Sequence, residues 1–134
     1  PITANRAIQG ATNTQLSGPG SVQVDGAGRL VVSNASSGSI TIYANAATAD
    51  NDVAPVAEIF GANTGLSVPD QIFVDTTGTG TLYVADPGAA RVAAFANLNT
   101  ANGNINIAPT RFIGGAATGI TASGQLGIAF DGTR

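Results

Sequence analysis

The chain has 134 residues, a net charge of −3 and 10% charged residues, and its basic residues are five scattered Arg (Arg6, Arg29, Arg91, Arg111, Arg134) with no Lys. No basic stripe can neutralise phosphates, so a nucleic-acid partner is not expected. It has no Cys and no His, which rules out disulfides, thiolate chemistry and imidazole-ligated metals, and no apolar run approaches the roughly 20 residues of a membrane-spanning helix.

Taken in chain order, the predicted elements are short strands bounded by Gly, Asn, Asp and Pro, because the apolar residues alternate with period two and are rich in Val, Ile, Phe and Tyr. The first stretches are 6–9, 21–24, 29–33 and 39–43; the next are 56–60, 71–74, 81–85 and 91–95. Asp25-Gly26-Ala27-Gly28 and Asp75-Thr76-Thr77-Gly78 read as tight hairpin turns, in which Asp accepts backbone hydrogen bonds and Gly supplies positive φ. Two longer loops, Thr48-Ala49-Asp50-Asn51-Asp52 and Thr100-Ala101-Asn102-Gly103-Asn104, align residue for residue and lead into Ala54-Pro55 and Ala108-Pro109. A further copy starts at Ile113-Gly114-Gly115-Ala116 and passes Ile120, Ile128 and Phe130-Asp131.

These elements belong to a segment of about fifty residues that occurs twice in full and begins again. Ile8-Gln9-Gly10-Ala11, Leu16, Val24-Asp25 and Leu30-Val31-Val32 return as Ile59-Phe60-Gly61-Ala62, Leu66, Val74-Asp75 and Leu82-Tyr83-Val84. Repetition at this period marks a repeat architecture. Four antiparallel strands per unit give an all-β fold built of β-propeller blades, here an incomplete propeller. A parallel β-helix would need shorter rungs, and a β-sandwich would not repeat its turn chemistry. Residues 1–134 are one propeller segment with units at about 1–15 (partial), 16–66, 67–120 and 121–134 (partial).

Pro69-x-x-Ile72-x-Val74-Asp75, then Leu82-Tyr83-Val84-Ala85-Asp86 and Arg91-Val92-x-x-Phe95, resemble the NHL-type β-propeller repeat. The first unit departs from it with Ser33-Asn34 in place of Ala85-Asp86 and Ser39 in place of Arg91. The stretches Ala108-Pro109-x-Arg111-x-Ile113-x-Gly115 and 61–66 resemble exported bacterial members. The resemblance implies a closed ring whose inner strands line a channel. Residues 6–9 would then be the outermost strand of one blade, 21–43 the inner three of the next, and the third copy would end at an innermost strand with Arg134 in the following turn. An open blade face would leave about five large apolar side chains in water at ~1.5 to 3 kcal/mol each, comparable with a domain's whole stability of ~5 to 15 kcal/mol. With Pro1 rather than Met at the start, the expectation is a fragment of a longer chain or a self-associating piece.

Asn34 and Asp86, ending the third stretch of each repeat, and Arg91, opposite Asp86, are the candidate binding residues at the rim. The resemblance to metal-dependent lactonases of related propellers makes Asn34 and Asp86 possible cation ligands; the plainer reading is that Asp86 caps the turn or pairs with Arg91. The only Glu is Glu58, in an outer strand. Asp50-Asn51-Asp52 offers three oxygen side chains without the ligand spacing of a Ca²⁺ loop and reads as a solvated turn. No metal, cofactor or catalytic residue is predicted: without His, Lys or Cys the usual activated nucleophiles cannot form, and Asp25, Asp75 and Asp131 repeat as turn residues. Asn34-Ala35-Ser36 matches the N-glycosylation pattern, and Tyr43 and Tyr83 read as packed. The expected function is a non-catalytic scaffold or binding surface, extracellular, periplasmic or on the cell surface, as the Thr/Asn/Gly-rich, Lys-free composition suggests. It would meet a protein or glycan partner through the loops at 34–38 and 61–70. The alternatives are a fragment of a lactonase- or lyase-type propeller enzyme whose active residues lie elsewhere, and a self-assembling subunit of a ring or filament.

Overall fold

The computed structural model describes residues 4–122, 124, 127–129 and 131. Nine strands and no α-helix are assigned among them: β1 (Pro19–Val24), β2 (Leu30–Asn34), β3 (Ser39–Tyr43), β4 (Ala57–Ile59), β5 (Ile72–Asp75), β6 (Thr81–Asp86), β7 (Arg91–Ala96), β8 (Gly103–Ile105) and β9 (Arg111–Gly114). They form two sheets, in the orders β1-β2-β3-β4-β8 and β5-β6-β7-β9. Each contains one four-stranded antiparallel meander, so the chain is all-β and its sheets follow the sequence repeat. Of the predicted strands, 6–9 shortens to a single parallel bridge between Ile8 and Asn51, with no antiparallel neighbour among the described residues. Strands β8 and β9 lie outside the stretches predicted as strands. The innermost strand expected in the third copy, through Ile128 and Phe130, is not assigned: 127–129 carry no strand, and Phe130 lies outside the described residues.

The hairpins form where the turn chemistry places them. Asp25 Oδ1 accepts from the N–H groups of Ala27 at 2.9 Å and Arg29 at 2.8 Å, and Gly28 turns at φ 75°. In the second unit Asp75 Oδ1 accepts from Thr77 N–H at 2.9 Å. With the turns set, register follows: Val31 lies opposite Ile42 and Ile42 opposite Ala57, while Ile72 lies opposite Val84 and Val84 opposite Ala93. Side chains alternate across a strand, so each row is one face of its sheet.

Those two faces meet in one core. Val31, Ile40, Ile42, Ala57 and Ile59 of the first sheet pack with Ile72, Val74, Leu82, Val84, Ala93 and Phe95 of the second, and Leu98 completes the cluster. The opposite faces differ. In the first sheet, β3 is buried throughout, and part of that cover comes from the N-terminal segment: Tyr43 Oη donates to Thr14 O at 2.6 Å and Ser17 N–H to Asn34 Oδ1 at 3.1 Å. Among the described residues the second sheet has no such cover over its outer strand, and Ile113 is 64% exposed whereas its repeat counterpart Ile59 is 2% exposed.

Candidate functional site

Asn34 and Asp86 sit where the repeat predicts, at the ends of β2 and β6, and both are fully buried. Their polar atoms are committed to backbone and neighbouring groups. Asn34 Oδ1 accepts from Ser17 N–H, and its Nδ2 donates to Thr41 Oγ1 at 3.1 Å. Asp86 accepts from the N–H groups of Ser67 at 2.9 Å, Val68 at 2.8 Å and Ala89 at 3.3 Å. Both residues tie down the chain entering the innermost strand of their own unit, one with an amide and the other with a carboxylate. The Asn34-Ala35-Ser36 acceptor amide is therefore inside the folded molecule.

Arg91 is the register partner of Asp86 but forms no ion pair with it. Its Nη2 donates to Thr64 O at 2.9 Å, its guanidinium lies 5.5 Å from the centre of the Phe112 ring, and its Nε is buried without a partner. Of the two plain readings of Asp86, the capping of the turn at Ala89 is present and the pairing with Arg91 is not. The reason is geometric: three backbone donors already hold the carboxylate, and the Arg side chain runs to the Thr64 carbonyl instead.

The one ion pair among the described residues is Asp25–Arg29, at 2.7 Å. Arg29 also donates to Ala101 O at 2.7 Å and to Leu98 O, so a guanidinium from the first unit closes over a loop of the second. Sequence reasoning missed this site, although Asp and Arg four residues apart across a turn was its available signal. Ser33 Oγ donates to Asp70 O at 2.5 Å and adds a second tie between the sheets.

The loop at 50–52 is partly exposed and is also tied to the N-terminal segment. Asp50 Oδ1 accepts from Ala7 N–H at 2.9 Å, and Asp52 Oδ1 accepts from Asn13 N–H at 2.9 Å and Thr14 N–H at 3.3 Å. Its counterpart is also displaced from the expected alignment. Phe60 N–H bonds Ile105 O as Gln9 N–H bonds Asn51 O, so Asp50-Asn51-Asp52 corresponds to Asn104-Ile105-Asn106, two residues beyond the aligned Asn102-Gly103-Asn104. Among the described residues no three acidic, His or Cys side chains converge as a metal cage.

No protein-family model, curated protein or solved structure matches this chain. The chemistry must then be read from geometry. Tyr43 is fully buried, and burial raises its phenol above the ordinary pKa; a hydrogen bond with Thr41 opposes the rise and the Glu58 charge adds to it. Tyr83 instead lies on the uncovered face of the second sheet, with Phe73 at 6.4 Å between ring centres. The Arg111 guanidinium is 5.7 Å from the Tyr83 ring centre and donates to its hydroxyl at 2.7 Å. Beside them is an open polar recess of about 550 Å³ lined by Asp75, Thr77, Thr81, Tyr83 and Arg111. The matching place in the first unit is where the loop bearing Leu98 and Ala101 meets Arg29.

Proposed function

We propose that the chain is a segment of an NHL-like β-propeller, exported or at the cell surface, that serves as a non-catalytic binding or structural scaffold. The observation that carries this reading is that Asn34 and Asp86, the polar rim residues of the repeat, spend their hydrogen-bonding groups on the fold. What is left for a partner is a surface. Tyr83, Val92 and Ile113 line the outer face of the second sheet, and their repeat counterparts Val31, Ile40 and Ile59 form the core against the neighbouring sheet. A face built of core positions is suited to receive another sheet of the same kind, since repeat units bury their faces on neighbours.

Light scattering and hydrophobic-dye binding on the intact chain test the reading. The chain should associate reversibly in a concentration series and bind dye in its native state, and Ile113→Asp should weaken both without loss of the β-sheet circular dichroism signal. A chain that remains monomeric and dye-silent at millimolar concentration would refute the scaffold. Ca²⁺-dependent lactone hydrolysis that Asp86→Asn removed from a folded protein would favour the enzyme instead.

A further inference from the structure

The outer strand of one unit meets the next unit in the same way twice. At the first meeting Ile8 bridges Asn51 in parallel, with Gln9 N–H donating to Asn51 O at 3.1 Å and Asn51 N–H to Ala7 O at 2.7 Å. At the second, β8 lies parallel to β4, and Phe60 N–H donates to Ile105 O at 3.2 Å. Each incoming segment is followed at once by an Asp or Asn whose Oδ1 accepts a backbone N–H from the turn behind the outer strand: Asp52 from Asn13 and Asn106 from Asn63, both at 2.9 Å. That side chain occupies space only a glycine leaves open. A Cβ on Gly10 would lie 2.5 Å from Asp52 Oδ1, and one on Gly61 would lie 2.5 Å from Asn106 Cγ.

The third outer strand, β9, is followed by the same turn as β4, and the Gly10 turn is a version of it one residue longer. Gly115 has φ 101°, beside 117° at Gly61 and 131° at Gly10. Thr118 Oγ1 donates to Gly115 O at 2.7 Å, as Thr64 does to Gly61 O at 2.7 Å and Thr14 to Gly10 O at 2.6 Å. Ile120 N–H donates to Thr118 Oγ1 at 3.2 Å, as Leu66 N–H does to Thr64 Oγ1 at 3.2 Å. Yet among the described residues β9 is the last strand of its sheet, and nothing lies within 4 Å of a Cβ built on Gly115. The receiving half of the junction is formed, and among the described residues no incoming segment is seated on it.

We propose that the edge of β9 and the Gly115 turn bind an extended segment that runs parallel to β9 and carries Asn or Asp immediately after its paired residues, supplied by another unit of this repeat. The strand edge supplies main-chain hydrogen bonds, as in strand addition to a sheet. The glycine space and the Ala117 N–H, counterpart of the Asn13 and Asn63 donors, select the Asx side chain. The donor is another unit because the two segments of this type among the described residues, 50–52 and β8, are already seated on other outer strands. The inference deepens the scaffold reading and rests on it for the kind of partner.

The test is an amide NMR titration of the intact chain, held at a concentration where light scattering gives a monomer, with a synthetic peptide reproducing residues 100–110. Shifts should appear at the amides of 112–118. The same peptide carrying Asn106→Leu should bind about tenfold more weakly, because one backbone donor loses its acceptor. Gly115→Ala should remove binding by filling the Asx space, and if that variant fails to fold, the peptide pair alone decides. No shift at millimolar peptide, equal affinity of the two peptides, or shifts centred on Phe60 and Asn63 would overturn the proposal. A silent titration beside dye binding that Ile113→Asp abolishes would remove this edge site and leave the scaffold reading standing.

Discussion

Arg29 is the side chain whose loss should cost most. It neutralises the buried carboxylate of Asp25 and donates to two carbonyls, of Leu98 and Ala101, that come 69 and 72 residues later. Removing one partner of a buried pair leaves the other charge uncompensated, so Arg29→Met should lower the unfolding free energy by about 3 kcal/mol in a urea titration. Asp86 offers a graded comparison. Asp86→Ala strands the Ser67 and Val68 donors and should cost about 2 to 3 kcal/mol, whereas Asp86→Asn keeps one oxygen acceptor, as Asn34 offers Ser17 in the first unit, and should cost less, about 1 to 2 kcal/mol. Tyr43 sets a pH dependence. Its pKa is raised in the fold, so the unfolded chain ionises first; the Tyr43 contribution is complete below about pH 10 and is lost as pH rises through the higher folded value. Urea midpoints between pH 8 and 11 should fall at the alkaline end, and Tyr43→Phe should flatten the fall. At this scale the sequence was legible where the action is local: Asp25 and Asp75 work in their turns as the turn chemistry requires. The target of Arg29 was not legible, because nothing near Arg29 in sequence names the carbonyls it reaches.

At the scale of elements, equivalent positions in the two units have unequal environments. Ile40 in β3 is fully buried between the sheets, while Val92 in β7, its counterpart, is only partly buried on the outer face of the second sheet. Ile40→Ala should therefore cost about 3 kcal/mol, as cavity-forming core substitutions do, and Val92→Ala less than about 1 kcal/mol. Equal costs in urea unfolding would mean that the second sheet's outer face is covered in solution. Apart from β9, the strands of the antiparallel meanders were predictable from alternation and turns. β8 was not, because Gly103-Asn104-Ile105 has neither length nor alternation, and becomes a strand only where β4 presents an open edge. Such an edge also explains the two-residue shift between the loops at 50–52 and 104–106. Pairing to the outer strand, and the side chain that follows it, sets their correspondence more strongly than residue type does.

At the scale of the whole molecule, both sheets contribute to one hydrophobic cluster, joined by Arg29, by Ser33 and by the β4–β8 pairing. The described residues should unfold as one cooperative unit. The chain has two Tyr and no Trp, one Tyr in each sheet, so Tyr43→Phe and Tyr83→Phe each leave a single fluorophore. In each variant the fluorescence transition should coincide with the circular dichroism transition; a separation between the two would show that the sheets melt independently.

The sequence by itself determined the all-β class, the repeat and every strand of the two meanders except β9, because period-two alternation, Asp-Gly turns and self-similarity are local properties that a single chain carries in order. Only the tertiary structure decided which face of each sheet is core and which is surface. Val31 and Tyr83, or Ile59 and Ile113, are the same repeat position, and burial depends on whether another sheet lies against it. The same holds for the polar residues of the rim. Their type was visible in the sequence, but whether Asn34 and Asp86 face a ligand or hold a backbone follows from which N–H groups the folded chain brings within about 3 Å of them, the ordinary reach of a hydrogen bond.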